Sequence, residues 1–570
     1  MENIEIARIF EEIADLLDIL GENPFRIRAY RNAARTVQAL PTPVEVLIAE
    51  GRRLDELPGI GKDLAGKITE IVQTGTLPLL RELEARLPAG VVEMMRIPGI
   101  GPKRARELYE KLGIRSVADL EAAVKAGRLR QLRGFGQVLE ERILQGIAQH
   151  RAHIARFRLA DADAYARPIV ERLRRVPGVT QLEIAGSYRR RRETVGDLDI
   201  LVAAADGEAV AEQFVTAKGV RQVLARGATK SSILLDSGLQ VDLRVVPAEA
   251  FGAALHYFTG SKAHNIAIRT LGVRRGLKIN EYGIFRGRRR AGGRAEEEVF
   301  AAVGLPWIPP ELREDGGEIA AAREGRLPAL VRLEDLRGDL QMHTTYTDGK
   351  HSLAEMVEAC RRRGYEYVAI TDHTQAVRVA GGLTREGFRR QFREIERLQK
   401  TLAAPVILKG AEVDILEDGR LDLDEATLAE LDVVVVSVHS KFNLTKAAMT
   451  KRIVRALAHP RVNILGHPTG RLLGRREPYP LDLEEVIKAA RDHGVMLEIN
   501  AQPDRLDLND TAARMAKDRG VKLVISTDAH SVDELACLRY GVDQARRGWC
   551  EAADIANTRP LAEFRKLLRK

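Results

Sequence analysis

The sequence predicts a multidomain chain that is helical at its start, α+β in its middle and α/β at its end, and three observations predict it. Short glycine turns recur between helix-periodic segments within the first 150 residues; apolar strands fill roughly residues 180–250; and after about residue 334 strands and helices alternate, most strands ending on a histidine or an acid.

Several domains are required, because one hydrophobic core stops growing near 250–300 residues and the chain has 570. With 45% hydrophobic and 30% charged residues it has the composition of a globular protein, neither disordered nor membrane-embedded. Cys360, Cys537 and Cys550 have no CxxC spacing, so neither a disulfide framework nor a thiolate zinc site is indicated, and a reducing cytoplasm fits. The first twenty residues mix Glu2, Glu5, Glu11, Glu12, Asp15 and Asp18 with apolar residues, unlike a signal peptide. The most apolar run, Val433 to Val436, is far short of the roughly 20 residues that span a bilayer, so no membrane partner is expected. The net charge of +9 is uneven: residues 1–100 are acidic and 101–200 strongly basic, which suits a polyanion or a merely solvated surface.

The first elements are helices punctuated by LPGIG (57–61), IPGIG (97–101) and LRGFG (132–136). Each glycine pair can turn the chain sharply between helices, and the following helix N-terminus then points its N–H groups the same way as the hairpin, making a phosphate cradle. An ordinary αα-hairpin is the alternative. The segments resemble helix–hairpin–helix clamps on the DNA backbone, the first two copies more closely than the third, which assigns Gly59, Gly61, Gly99, Gly101 and Lys103 to DNA.

Strands come next: LEIAGSY, DLDILVAAA, SSILLDSG and QVDLRVV. Asp197 and Asp199 lie two apart on one strand and so share a face, where their repulsion is relieved by a divalent cation. Asp242, on a later strand, can complete the cluster. Upstream, Gly186 and Ser187 make a donor-rich turn, and Arg189 to Arg192 supply charge for a triphosphate. Three carboxylates holding two metals about 4 Å apart suit transfer of a phosphoryl group to a 3′-hydroxyl.

GSYRR (186–190), GDLD (196–199), VDLR (241–244), YFTGS (257–261) and INEYGIF (279–285) together resemble the family X DNA polymerases, the group that includes polymerase beta, over about residues 1–315. The resemblance implies helix–hairpin–helix domains, a nucleotidyltransferase-type palm with a mixed sheet, and a thumb. The boundaries it suggests are 1–83 for a lyase-like helical domain, 84–150 for fingers, 151–250 for palm and 251–315 for thumb. It makes Asp197, Asp199 and Asp242 ligands of Mg²⁺ or Mn²⁺, gives Gly186, Ser187 and Arg190 to the incoming deoxynucleoside triphosphate, and gives Tyr257, Phe258 and Gly260 to its sugar. Asn265 and Arg269 face the minor-groove edge of the nascent pair. The family often has glycine where Arg191 stands. Lys67 aligns with the family's Schiff-base lysine, but Asp63 and Asn32 replace its helper lysines, so Lys67 is assigned to the DNA-facing surface and not to lyase chemistry.

Pro306 to Gly317 opens an interdomain connection, placed at 316–333. Beyond it His343, His373, Glu412, His439, His467, Asn500 and His530 recur at intervals of 27 to 39 residues, about one β/α unit each, mostly after apolar runs. Polar residues at the C-terminal ends of successive parallel strands converge on one rim of a barrel, and with Asp348 and Asp528 they make a metal cluster. QMHTTYTDG, AITDH, GAEVD, SVHS, GHPTGR and STDAH resemble the polymerase and histidinol phosphatase (PHP) domain over about residues 334–570. This implies a distorted β/α barrel with up to three Mn²⁺ or Zn²⁺ ions held by His343, Asp348, His373, Glu412, His439, His467, Asp528 and His530, with His343 and His439 acting in catalysis. Its motif opens with His-x-His, and Gln341 takes the first position here, as a ligand through its carbonyl oxygen.

The order of the two halves resembles the bacterial PolX proteins. The resemblance implies a monomeric, cytoplasmic, nucleoid-associated repair polymerase filling short gaps in nicked or gapped duplex DNA, in base-excision repair and end joining. Its barrel is then a 3′→5′ exonuclease, and an abasic-site endonuclease is a further activity the resemblance allows. Two alternatives stay open: a catalytically silent barrel, and a small-molecule phosphatase.

Overall fold

The computed structural model describes residues 3–569 apart from 40–43, 50, 58, 75, 76, 96, 98, 133 and 155. The chain divides into two compact units, Met1–Ala155 and Arg156–Lys570.

The first unit is helical. Asn3–Ile19 and Pro24–Ala39 pair as a hairpin, with Phe10 edge-on to Tyr30 at 5.4 Å, over a core that also takes Ile68, Leu108, Leu120 and Ile143. The three glycine turns share one geometry. Gly59, Gly99 and Gly134 take left-handed φ of 75°, 96° and 88°, and Gly61, Gly101 and Gly136 lead directly into helices Lys62–Thr74, Pro102–Leu112 and Gln137–Ile154. The same turn bond recurs in each copy: Ile60 N–H to Leu57 O, Ile100 to Ile97 and Phe135 to Leu132. The third hairpin, a weaker match in sequence, is therefore a full copy in conformation; Pro58, Pro98 and Arg133 within the three motifs lie outside the described residues.

The second unit begins with a small antiparallel pair, β1 (Phe157–Arg158) and β3 (Thr194–Val195). Its main sheet comprises β2 (Val179–Ile184), β4 (Asp197–Ala204), β5 (Val220–Ala225), β6 (Lys230–Leu235) and β7 (Gln240–Val246) in the order β2-β4-β7-β6-β5. Only β4 and β7 run parallel, so the sheet is mixed. The alternating burial of β7 shows how its faces divide: Val241, Leu243 and Val245 enter the core beneath helices Leu159–Arg174 and Gly207–Val215, while Asp242 and Arg244 face the other way. Beyond helices Phe251–Thr259 and Lys262–Arg274 comes the three-stranded sheet β8 (Lys278–Asn280), β9 (Gly283–Arg286) and β10 (Arg289–Gly292). The connection after residue 315 is folded: Glu318, in helix Glu318–Arg323, is fully buried and lies 2.6 Å from His264.

The last part is a seven-stranded, all-parallel sheet in chain order: β11 (Gly338–Asp339), β12 (Tyr367–Ile370), β13 (Val406–Asp414), β14 (Val433–Ser437), β15 (Ile464–Leu465), β16 (Met496–Asn500) and β17 (Leu523–Ser526). It nearly closes: past the first and last strands Met342 bridges Ala529, with His343 N–H on Ala529 O at 2.8 Å. One end of the interior is filled by Leu340, Tyr367, Leu408, Val433, Ile464 and Val524 and plugged by Phe564, whose ring stacks on Tyr367 at 5.1 Å. The other, C-terminal end carries the polar residues.

Candidate active sites

Parallel pairing of β4 with β7 sets Asp199 opposite Asp242 and Asp197 opposite Gln240, which brings the three sequence-predicted carboxylates to one end of the mixed sheet. Burial, then the like charges of Asp197 and Asp242, push the Asp199 carboxyl up to about 7. A site that makes its own carboxylate hard to ionise is one a hard divalent cation relieves. Gln240 donates to Asp242 Oδ1 at 2.9 Å, fixing that carboxylate.

The turn before β4 lies against this cluster. Gly186 has φ 62°, and a Cβ there would stand 2.6 Å from Asp199 Oδ2, so only glycine fits. Its arginines divide. Arg189 turns inward to Glu296 (2.6 and 2.9 Å) and Thr259 Oγ1 (2.8 Å). Arg191 lies 5.3 Å over the Tyr188 ring and 3.7 Å from Asp543. The sequence offers all four as charge for a triphosphate, and the structure gives Arg189 and Arg191 partners that differ from those of the other two. Arg190 and Arg192 both face Glu314, at 3.0 and 3.7 Å. Arg191 keeps the left-handed conformation that glycine would take there, at φ 55°.

Tyr257 and Phe258 meet edge-on at 5.2 Å, and Gly260 sits against Arg190, whose guanidinium donates to the Thr259 carbonyl. Asn265 is buried and donates to Tyr257 O at 2.7 Å, with Arg269 one turn further along the same helix. Arg244, two residues from Asp242 on β7, covers Phe258 at 5.2 Å; its motif is conspicuous in the sequence but gives it no role there.

In the barrel, the strand ends bring the histidines and acids into one cluster. Three groups of candidate ligand atoms lie within 4.8 Å of one another: His343, Asp348, His373 and His530; His373, Glu412 and His439; and His343, Glu412 and Asp528. Glu412 is central, with His467 Nε2 at 2.9 Å, His439 Nε2 at 3.3 Å, His373 Nδ1 at 3.3 Å and His343 Nε2 at 3.4 Å. Asp528 lies 3.0 Å from His343, and His530 lies 3.4 Å from Asp348. His467 and Asp528 hold left-handed φ of 26° and 52°, an uncommon cost for non-glycine residues that is met at sites with a job.

Charge in the cluster is polarised. Burial opposes ionisation of Glu412 and Asp528, but the surrounding imidazoles outweigh it and hold both carboxyls well below the usual range. Burial lowers His439 and His530, yet Glu412 with Asp414, and Asp348 with Asp528, raise them to about 9 and about 10. Burial takes His373 down to about 3. Several candidate ligand atoms, Gln341 Oε1, His343 Nδ1, His373 Nδ1 and Glu412 Oε2, are buried without a hydrogen-bond partner among the described residues. Orphaned acceptors around a histidine–carboxylate set fit divalent metal ions. Gln341 itself is fully buried, its Nε2 3.5 Å from Asp528 Oδ1.

Further side chains hold these candidate ligands; the sequence singles out Asn500 among them and marks Asp414 only as the end of GAEVD, while it gives no sign of Glu498 or Arg505. Asp414 accepts from the His439 main chain and touches its Nδ1, both at 3.1 Å. Glu498 accepts from His467 N–H at 2.6 Å, Asn500 donates to Asp528 Oδ2 at 3.0 Å, and Arg505 lies 3.5 Å from Asp528. Asp414 closes the GAEVD motif without a role of its own there, and Glu498 follows strand periodicity and is legible only as a strand residue. In the first unit Lys67 pairs with Asp63 at 2.5 Å and lies 5.3 Å over Tyr30. Burial lowers its pKa, but bonds to Asp63 and Tyr30 win and raise it, the wrong direction for an amine nucleophile. Lys103 is exposed at the start of its helix, and a Cβ on Gly61 or Gly101 would meet nothing within 4 Å, so both turns are open to a close approach from outside.

Comparison with known proteins adds the family. Models of a helix-hairpin-helix domain match residues 1–77, of a SAM-like helix-hairpin-helix tandem 91–149, of the DNA polymerase beta palm 159–251, of the DNA polymerase beta thumb 254–314 and of the PHP domain 339–502. The chain is 39% identical to the "DNA polymerase/3'-5' exonuclease PolX" of Bacillus subtilis (strain 168) over the full length of both. It is 27% identical to "DNA polymerase lambda" of Arabidopsis thaliana over 55% of this chain and 62% of that one. It is 31% identical to a Thermoanaerobacter sp. (strain X514) protein named "Probable phosphatase", over 34% of this chain and 78% of that one. Carboxylates in register on the mixed sheet, a histidine–carboxylate rim on the barrel and identity along the whole chain give one result: the chain belongs to the bacterial PolX family, a family X polymerase joined to a PHP domain.

Proposed function

We propose that the chain fills short gaps in nicked or gapped duplex DNA from deoxynucleoside triphosphates and, at a separate site in the barrel, removes nucleotides from 3′ ends. Base-excision repair and end joining are the pathways such an enzyme serves, acting as a monomer on the bacterial nucleoid. The observation that carries the polymerase reading is the register of Asp199 against Asp242 with Asp197 beside them. The nuclease reading is carried by Glu412 within 3.4 Å of four histidines. Among the described residues no helix is long and apolar enough to cross a membrane.

In the palm, Asp197, Asp199 and Asp242 would hold Mg²⁺ or Mn²⁺, which supplies charge to activate the primer hydroxyl and stabilise leaving pyrophosphate. Gly186, Ser187 and Arg190 hold the triphosphate, Tyr257, Phe258 and Gly260 line the sugar, and Asn265 and Arg269 serve the nascent pair. In the barrel, the histidine–carboxylate set would hold Mn²⁺ or Zn²⁺, up to three ions, lowering the pKa of water for attack on a phosphodiester. His439, partly exposed and kept in place by Asp414, is the group best set to orient the scissile phosphate, and His343, buried against Asp528, would act through the ions it holds. The glycine hairpins, with Lys103 and Lys67, grip the DNA backbone. The close convergence of the barrel ligands favours an active barrel over a silent one, and its partnership with DNA clamps favours a polynucleotide over a small phosphomonoester.

Labelled gapped DNA incubated with purified protein and Mn²⁺ tests both halves. Extension when nucleotides are present and 3′ shortening when they are absent are expected; extension with an inert 3′ end in every metal would remove the nuclease.

A further inference from the structure

The barrel grips the turn that precedes β4. The Tyr188 hydroxyl bonds Asp163, which also accepts from Arg539 and, at 2.9 Å, from Tyr540. Arg191 faces Asp543, and Glu193 accepts from Arg471 at 2.7 Å. The central contact is Arg547, at the end of helix Leu538–Arg547 and 7% exposed. Its Nε and Nη2 are fixed within the barrel on Asp510 Oδ2 at 2.9 and 2.6 Å. Its Nη1 reaches out to the main-chain carbonyl of Arg190 at 2.7 Å and to Glu314 Oε1 at 3.1 Å. That same Glu314 oxygen accepts from Arg190 Nε at 3.0 Å.

One guanidinium of the barrel therefore holds Arg190 at both ends, the carbonyl directly and the side chain through Glu314. The carbonyl it holds belongs to the peptide that leads into Arg191, whose φ of 55° costs roughly 1 kcal/mol in a residue with a Cβ. Such a conformation persists where neighbours over-determine it. With Arg190 Nε on Glu314 and Nη1 on Thr259 O, Nη2 has no hydrogen-bond partner among the described residues and offers an edge for a phosphate oxygen. Where that edge points depends on the two groups Arg547 anchors.

We propose that Arg547 is a positioning residue for nucleotide addition: the nuclease barrel sets the triphosphate-binding arginine of the polymerase. The proposal rests on the reading of Arg190 as a triphosphate ligand. It implies that the barrel is part of the polymerase site in a mechanical sense, although it contributes no atom to the chemistry.

The test uses the full chain and single-nucleotide insertion into gapped DNA. Arg547→Ala and Arg547→Lys should each raise KM for the nucleotide about tenfold, the worth of one charge-assisted hydrogen bond, and change kcat less than about threefold. Nuclease rate on single-stranded DNA, measured on the same preparation, should stay within about twofold and reports that the barrel is folded. Arg547→Lys keeps a cation against Asp510 and serves if Arg547→Ala does not fold. Arg546→Ala is the control: it removes bonds to Glu311 (2.8 Å) and Val331 O (3.0 Å) in the same interface without touching the turn, and KM should hold. An equal rise in KM for Arg546→Ala would overturn the proposal in favour of general loosening. Unchanged KM in both Arg547 variants, while Arg190→Ala raises it, would also overturn it. No effect of Arg190→Ala would instead remove the reading of Arg190 on which the proposal stands.

Discussion

Gly186 and Asp199 are locked in contact: the bare Cα of the first leaves the space in which the carboxylate of the second stands, and a Cβ would come within 2.6 Å of its Oδ2. The position is doubly closed, since φ is also 62°. Gly186→Ala is therefore expected to displace Asp199 and lower nucleotide addition at least about a hundredfold, since small misplacements at a reacting centre cost that much. Gap-filling rates measure it, and a rate within about threefold of wild type would refute it.

Asp242→Ala should lower nucleotide addition by at least about a hundredfold, because two remaining carboxylates hold the metals poorly. Nuclease activity should survive in the same protein. Parallel loss of both in folded protein would contradict two separate sites.

His439→Ala or Asp528→Ala should have the converse effect, cutting 3′→5′ degradation by at least about a hundredfold while gap filling stays nearly intact. Timed digestion of a 5′-labelled single strand reads the first and a primer-extension gel the second. An undiminished nuclease would place that chemistry elsewhere.

The Asp199 carboxyl, up at about 7 in the fold against an ordinary value of 3.8, makes a prediction in pH. Between roughly pH 4 and 7 the folded chain keeps a proton that the unfolded chain has released, so metal-free stability falls as pH rises through that window. Asp199→Asn removes the penalty. At pH 8 with chelator it should stabilise the palm on the order of 1–2 kcal/mol, after allowing for solvent screening, with no gain near pH 4. Thermal unfolding at the two pH values decides, and a gain that is larger in acid would have the wrong sign.

Gln341 is buried with its Nε2 3.5 Å from Asp528 Oδ1 and its Oε1 without a hydrogen-bond partner among the described residues, and as a ligand, its amide turned over, it would share an ion with Glu412 and Asp528. An amide oxygen is a harder and weaker donor to Zn²⁺ than imidazole nitrogen, so the wild-type barrel should favour Mn²⁺. Gln341→His should raise zinc affinity at one site about tenfold or more. Calorimetric titration of metal-stripped proteins measures this; identical affinities for both metals in both proteins would exclude Gln341 as a ligand.

The sequence is most informative where chemistry and periodicity coincide. Asp197 and Asp199 share a face because a strand repeats every two residues, and the barrel histidines converge because each ends one β/α unit. Glu498 is hidden for the same reason, as an acid inside an apolar strand with no motif to mark it, and Asp414 stands in GAEVD beside Glu412 with nothing local to say that it holds His439. The division of Arg189 to Arg192 cannot be read locally: what separates them is Glu296, Glu314 and Asp543, over 100 residues away in the chain. Arg191 standing in for glycine is legible as a departure, but its support from Tyr188 and Asp543 is not. The third hairpin looks degenerate because LRGFG differs at its side chains, whereas the turn depends on Gly134 and Gly136, which it retains.

The bridge from Met342 to Ala529 has a consequence for synthesis on the ribosome. Asp197, Asp199 and Asp242 are present once less than half of the chain has emerged, but His343 must wait for Asp528, 185 residues later, and the Phe564 plug comes later still. Domains generally fold in the order they are made. A growing chain therefore carries no working nuclease until it is nearly complete, and a message truncated anywhere before the last strand would yield a protein unable to degrade DNA through this barrel.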